Sequence, residues 1–192
     1  MSKLNVLVSG AGIAGPVCAY WLHRLSSGLI KTTIIERHNE LRKAGQQIDI
    51  RGAGIQVIRR MGVEEDIRSK TTREEGLAFV DSDGRRMAEF PVRTGEMSFT
   101  SEFEILRENL VKTFYNVTKD NTQYIFGNQI DDIKQDEEKA TVTLANGEKK
   151  DYDMIIGADG MWSRTRRLAF PHVKNPLKSL GLYTSYFTIP YE

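Results

Sequence analysis

The stretch LNVLVSGAGIAG at Leu4–Gly15 constrains the fold more than any other part of the chain. The apolar run Leu4–Val8 reads as a short buried strand, and the glycines that follow turn the chain at once. Beyond them Ala14, Val17, Cys18, Trp21, Leu22 and Leu25 recur at the spacing of one helical face. A second β-rich run, KTTIIE, ends at Glu36. Strand, helix and strand in so short a stretch is the size of a βαβ unit, which sets its two strands parallel in one sheet. From Leu4 to Leu22 only Asn5, Ser9 and Tyr20 interrupt apolar and small residues, so a signal peptide or membrane span is a rival reading. Three glycines and Pro16 in the middle of the run speak against it, whereas strand-turn-helix accounts for every position.

Gly10, Gly12 and Gly15 form the pattern Gly-x-Gly-x-x-Gly, with Ala11, Ile13 and Ala14 between and beside them. Placed after a strand and opening a helix, the first glycine permits the tight turn. The second lets backbone approach a pyrophosphate, and the third lets helix and strand pack closely. The helix N-terminus adds unpaired N–H groups and partial positive charge. An exposed anion gains only ~0.3–1 kcal/mol from the helix dipole, so several N–H bonds must add to it. Glu36, at the end of the second strand, is placed to accept both hydroxyls of a ribose and to repel a 2′-phosphate. Arg37 follows directly, either over an adenine ring or out in solvent. These residues point to a ligand with an adenosine diphosphate end, NAD or FAD, and do not choose between them.

The 192 residues carry a formal net charge of +1, which gives no reason to expect nucleic acid or an anionic membrane as partner. Cys18 is the single cysteine, so there is no disulfide framework and no cysteine-based metal site; a reducing, cytoplasmic setting is the expectation. His23, His38 and His172 show no metal-ligand spacing.

The middle of the chain mixes periods. QQIDIRG reads as a strand or extended piece, and AGIQVIRRMGVEEDIRSK as helix broken near Gly62. GLAFVDSDGRRMAEF has the form of a β-hairpin turning at Asp83-Gly84, and residues 92–102 read as loop. FEILRENLVKTFYNV is expected to be a helix with Leu106, Leu110, Phe114 and Val117 inward. TQYIFG, QIDDIKQ and KATVTLANGEKKDYD follow, the last two suggesting antiparallel strands with a tight turn at Asn146-Gly147. DMIIGADG then returns to a buried strand, as a parallel sheet requires. The expected fold class is α/β, a parallel sheet with helices and an inserted antiparallel layer.

That last strand ends in Asp159-Gly160, followed by Ser163 and Arg166 within GADGMWSRTRR. A carboxylate at the C-terminal end of a parallel strand lies at the rim where open α/β sheets bind ligands. The glycine allows close backbone approach. Ser163 is suited to cap a following helix, and Arg166 to pair with Asp159 or a phosphate. Together with SGAGIAG and Glu36-Arg37, this segment resembles the FAD-dependent aromatic hydroxylases, the single-component class A flavin monooxygenases. The resemblance implies a Rossmann-like FAD-binding domain, with Asp159 near the ribityl and pyrophosphate region of FAD and NADPH or NADH as transient reductant. It also points to Arg51, in IDIRGAGI, and Arg107, in EILRENLVKTF, as contacts to the cofactor. Arg107 has a rival role, pairing with Glu104 or Glu108 on the helix surface. The chemistry implied is hydroxylation of an aromatic small molecule in a water-poor cavity, with no protein acid or base among the residues named.

Members of that family are typically about twice this length, with a substrate-binding sheet domain and a third, Gly-Asp-Ala motif that does not occur here. Residues 1–178 are therefore expected to form the FAD-binding domain and 179–192 the start of an incomplete substrate domain. The strand expected over Gly181–Ile189 carries Tyr183, Phe187 and Ile189 on one side and Leu182 and Tyr186 on the other. Without later strands it would be an exposed edge, the mark of an N-terminal half. Two rivals stay open: a non-catalytic FAD-binding fragment, and an NAD-dependent dehydrogenase using the first motif alone.

Overall fold

The structure, a computed structural model, describes residues 4–72, 75–92, 101–174 and 176–185. In chain order the elements begin β1 (Leu4–Ser9), α1 (Ala14–Leu25), β2 (Ile30–Glu36), β3 (Gln47–Asp49), α2 (Ala53–Met61) and α3 (Glu64–Arg68). There follow β4 (Gly76–Val80), β5 (Arg86–Pro91), β6 (Glu104–Leu106), α4 (Arg107–Asn116) and β7 (Thr122–Phe126). The last are β8 (Ile130–Gln135), β9 (Ala140–Leu144), β10 (Lys149–Tyr152), β11 (Met154–Gly157) and α5 (Arg164–Ala169). The chain divides into two compact units, residues 1–41 with 114–192, and residues 42–113.

The first unit is built on a four-stranded parallel sheet in the order β11-β1-β2-β7. Its central strands are apolar on both sides because both faces are covered, the usual condition of parallel strands. On one face Val6, Val8 and Ile34 pack with Ala19 and Leu22 of α1. On the other, Leu7 and Ile35 pack with Val142, Leu144 and Tyr152 from the β8-β9-β10 antiparallel meander, and with Leu168 of α5. The fold is the Rossmann-like α/β arrangement, with an antiparallel layer inserted before the last parallel strand.

The side of α1 that faces the sheet is not the stripe expected from periodicity. Gly15, Pro16 and Ala19 are buried, whereas Leu25 is 78% exposed and Ala14 lies at the surface. The helix approaches the strands closely enough to select its smallest residues, leaving larger apolar ones on its flanks.

In the second unit Gly62 adopts φ +72° and separates α2 from α3, and β4 and β5 form the hairpin around Asp83-Gly84. The helix expected from Phe103 onward starts only at Arg107, because Glu104–Leu106 pairs as a strand with β3. Phe103 and Ile105 are buried there, while Leu106 and Val117, expected inward, are 45% and 39% exposed; Leu110 and Phe114 are buried as expected. A strand partner more than fifty positions upstream overrides the local helical pattern.

Of the strand expected over Gly181–Ile189, residues 181–185 form no strand, and Leu182 and Tyr183 are fully open to solvent. The rest of that segment, and residues 93–100 of the expected loop, lie outside the described residues.

Candidate functional site

The C-terminal ends of β1, β2 and β11 bring the two glycine motifs together. The Gly10 N–H donates to the Ile35 carbonyl at 2.8 Å, and the Ala158 N–H to the Ser9 carbonyl at 2.8 Å. Gly10 sits at φ +110°, and a Cβ on it would stand 2.5 Å from the carbonyl oxygen of Ala158. Gly15 is equally constrained: its Cβ would fall 2.0 Å from the Gly10 carbonyl oxygen. At Gly12 a Cβ would meet nothing within 4 Å, so this backbone faces open space. Two of the three glycines thus serve close packing, and the third leaves the loop approachable from outside.

Ile13 precedes α1 without a side-chain cap, and the first turn carries no acidic residue. The first turn of α1 therefore carries no carboxylate of its own against the helix's partial positive charge. Pro16 fits the first turn because no intrahelical bond needs its missing N–H.

Glu36 reaches across this loop. Its Oε2 accepts the Ala11 N–H at 2.9 Å and its Oε1 the His38 N–H at 3.0 Å. The carboxylate thereby ties the glycine loop to the end of β2, and each oxygen keeps room for a further donor. Arg37 is exposed and directs its Nε to His38 Nε2 at 3.4 Å.

Asp159 is engaged from α5. Its Oδ1 accepts the Ser163 hydroxyl, and its Oδ2 accepts both the N–H and the hydroxyl of Thr165, each at 2.9 Å. Burial pushes its pKa upward, but the hydrogen bonds from Ser163 and Thr165 outweigh that and hold the carboxyl below its ordinary range. Ser163 caps the helix, its Oγ accepting the Arg166 N–H at 2.9 Å. Gly160, at φ +80°, faces open space.

Arg166 does not reach Asp159. Its guanidinium donates to the Met161 carbonyl at 2.7 Å, and its Nε is buried with no partner among the described residues. Arg167 donates to the Trp162 carbonyl at 2.8 Å, so two arginines of α5 reach back to the turn that carries Met161 and Trp162. Beside this turn a cavity of about 550 Å³ is lined by Asp159, Gly160, Ser163, Thr165, Arg166 and Phe170, among others.

Arg51 and Arg107 belong to the second unit. Arg51 forms an ion pair with Asp49 at 2.8 Å. Arg107 opens α4, its N–H donating to the Gln46 carbonyl at 3.3 Å, and its side chain packs against Gly45. The rival partners expected for it are used elsewhere, Glu108 by Lys112 and Glu104 by the Thr72 hydroxyl. Thr165 is the residue that sequence reading passed over: a threonine among arginines reads as a polar surface position, and only folding sets it under Asp159. Among the described residues no cluster of three or more His, Cys, Asp or Glu could hold a metal ion, and no helix is long and apolar enough to cross a membrane.

The FAD binding domain family matches residues 3–179. The chain belongs to that family. Within it, the chain is 39% identical over 196 residues to the FAD-dependent monooxygenase asL4 of Sarocladium schorii, covering 99% of this chain and 45% of that protein. It is 40% identical over 203 residues to the flavin-dependent monooxygenase eupH of a Phoma species, covering 99% of this chain and 46% of the relative. Among solved structures it is similar to the tetracycline destructase Tet(51), with 34% identity and a TM-score of 0.72 over 88% of this chain and 42% of that one. The FAD binding domain seen here thus spans about half the length of the curated relatives it matches.

Proposed function

We propose that this chain holds the FAD of a flavin-dependent monooxygenase that draws electrons from NADPH or NADH and hydroxylates an aromatic or polycyclic small molecule. The observation that carries the reading is the packing of Gly10 on Ala158: the two fingerprints form one continuous rim at the strand ends. The residues present suit FAD. The uncapped entrance of α1, with the open backbone at Gly12, would take the pyrophosphate, and Glu36 would accept the adenosine ribose hydroxyls. Ala11, Ile13, Ala14 and Gly15 complete that cradle, and Arg37 would flank the adenine. Asp159, Gly160, Ser163 and Arg166 would serve the ribityl and pyrophosphate side; Arg51 and Arg107 stay cofactor contacts on the family resemblance alone.

When bound, FAD would supply the redox chemistry; this chain's residues bind and orient it, and no acid or base among them is assigned a proton transfer. The names of the relatives support monooxygenation. In this reading residues 1–178 form the cofactor domain and 179–192 the start of an incomplete substrate domain.

The test is direct. The purified chain is titrated with FAD while visible absorbance and flavin fluorescence are recorded, and NADPH-dependent oxygen uptake is then measured. A perturbed flavin spectrum at stoichiometric binding supports the assignment. Binding of NAD with no affinity for FAD would instead select the dehydrogenase reading. FAD binding with no oxygen uptake would mark the 192 residues as a cofactor-holding portion without turnover of their own.

A further inference from the structure

Asp159 has two carboxylate oxygens, and α5 treats them differently. Oδ1 receives one bond, from the Ser163 hydroxyl, while Oδ2 receives two, both from Thr165. A carboxylate oxygen offers about two lone-pair sites, so Oδ2 is filled and Oδ1 retains one. We infer that Thr165 is a positioning residue for Asp159: it occupies the helix-facing oxygen and leaves Oδ1 as the one acceptor available to a hydroxyl donor of the cofactor. This rests on the FAD reading above.

Two features make Thr165 suited to the task. It is buried at 5% exposure, so solvent does not compete for its hydroxyl. Its branched Cβ leaves the side chain stiff at χ1, which favours a fixed direction for that hydroxyl. The role differs from that of Ser163, whose oxygen caps α5 directly.

The charged groups around Asp159 do not replace Thr165. Arg166 on α5 is turned to Met161. Asp136, Glu137, Glu138 and Lys139 at the β8–β9 turn and Asp153 before β11 line the same cavity, and Glu36 lies across Gly10. Lys139 is paired with Asp151. What keeps the Asp159 carboxyl below its ordinary range, against burial, is hydrogen bonding from Ser163 and Thr165.

Two variants separate the hydroxyl from the methyl. Thr165→Val keeps the shape and loses the donor; Thr165→Ser keeps the donor and loses the methyl. The side-chain carboxyl of Asp159 is followed by carbon-13 NMR in the labelled chain from pH 7 to pH 2, its signal assigned by its loss in Asp159→Asn. FAD dissociation constants are measured over the part of that range in which the fold persists. The expected result is titration of Asp159 at higher pH in Thr165→Val and near wild type in Thr165→Ser. The FAD dissociation constant should rise roughly tenfold in the valine variant, the loss of one charge-assisted hydrogen bond. The gap should widen as pH falls and close in the serine variant.

Identical titration in wild type and Thr165→Val, or parallel affinity profiles, overturns the assignment. So does a raised titration in Thr165→Ser, which also decides the matter if the valine variant fails to fold. A wild-type chain that binds no FAD while its Asp159 titration still responds to Thr165→Val would sink the FAD reading and leave the hold of Thr165 on Asp159 standing.

Discussion

Replacing Gly10 with alanine should unfold the chain far more readily than replacing Gly12, although both belong to one motif. At Gly10 the backbone already sits at φ +110°, and strain of that kind costs ~1–3 kcal/mol for a residue with a side chain. The new methyl would also stand 2.5 Å from the Ala158 carbonyl oxygen and 3.0 Å from the Asp159 Cα. Both are backbone atoms tied to β1 and α5, so the overlap can be relieved only by moving strands, which adds ~1–3 kcal/mol. The total of about 2–6 kcal/mol is a large share of the 5–15 kcal/mol that holds a typical domain. At Gly12 the added methyl meets nothing within 4 Å and the φ is ordinary, so stability should hold or rise by ~0.4–1 kcal/mol. Urea unfolding followed by circular dichroism reads the difference: the Gly10→Ala midpoint should fall by roughly 1–3 M and that of Gly12→Ala should stay or rise slightly. FAD affinity should run the other way for Gly12→Ala, falling at least about tenfold because its methyl stands where a pyrophosphate must approach. A Gly12→Ala chain as unstable as Gly10→Ala, or a Gly10→Ala chain as stable as wild type, would falsify the packing argument.

Three further outcomes follow from the site and its surroundings. Glu36→Gln should cost about 1–2 kcal/mol by urea unfolding, since an amide can accept from only one of the Ala11 and His38 N–H groups and Ala11 is buried. Calorimetric titration with ADP should show the same variant binding more weakly; undiminished affinity would remove Glu36 from the ribose site. The carboxyl of Asp159 titrates below its ordinary range, so its stabilising contribution is complete above the unfolded carboxylate pKa and is lost as pH falls through the folded one. The thermal midpoint gap between wild type and Asp159→Asn should therefore shrink on acidification below about pH 4, and a constant gap would refute the assignment. Burial pushes the Tyr124 phenol up to about 12, against the opposing pull of its hydrogen bond with Thr118. Ultraviolet titration should accordingly show one tyrosine ionising last, lost in Tyr124→Phe.

The parts of the site that were legible in the chain are those whose geometry is local. Gly10, Gly12 and Gly15 announce a turn between strand and helix because only short-range backbone sterics are involved, and Ser163 is recognisable as a cap for the same reason. The inward face of α1 was not legible. Ala14 and Leu25 share the apolar period but not the contact, which falls on Gly15 and Ala19, and how closely a helix approaches its sheet is set by the whole packed layer. Nor was the short strand at Glu104–Leu106, whose conformation depends on pairing with Gln47–Asp49.

The amino-acid sequence by itself determined the parallel βαβ frame, the two glycine-bearing turns and the carboxylates at the strand ends, because each depends on residues a few positions apart. Only the tertiary structure decided how these turns meet and how their carboxylates are aimed. The seat of Gly10 on Ala158 leaves no room for a Cβ, and the reach of Glu36 to Ala11 and the two bonds from Thr165 to Asp159 place atoms within 3 Å. The first two join segments far apart in sequence, and the last depends on how α5 folds back over its own strand. Such distances follow from burying both faces of one sheet at once, a condition that no local stretch of the chain can express.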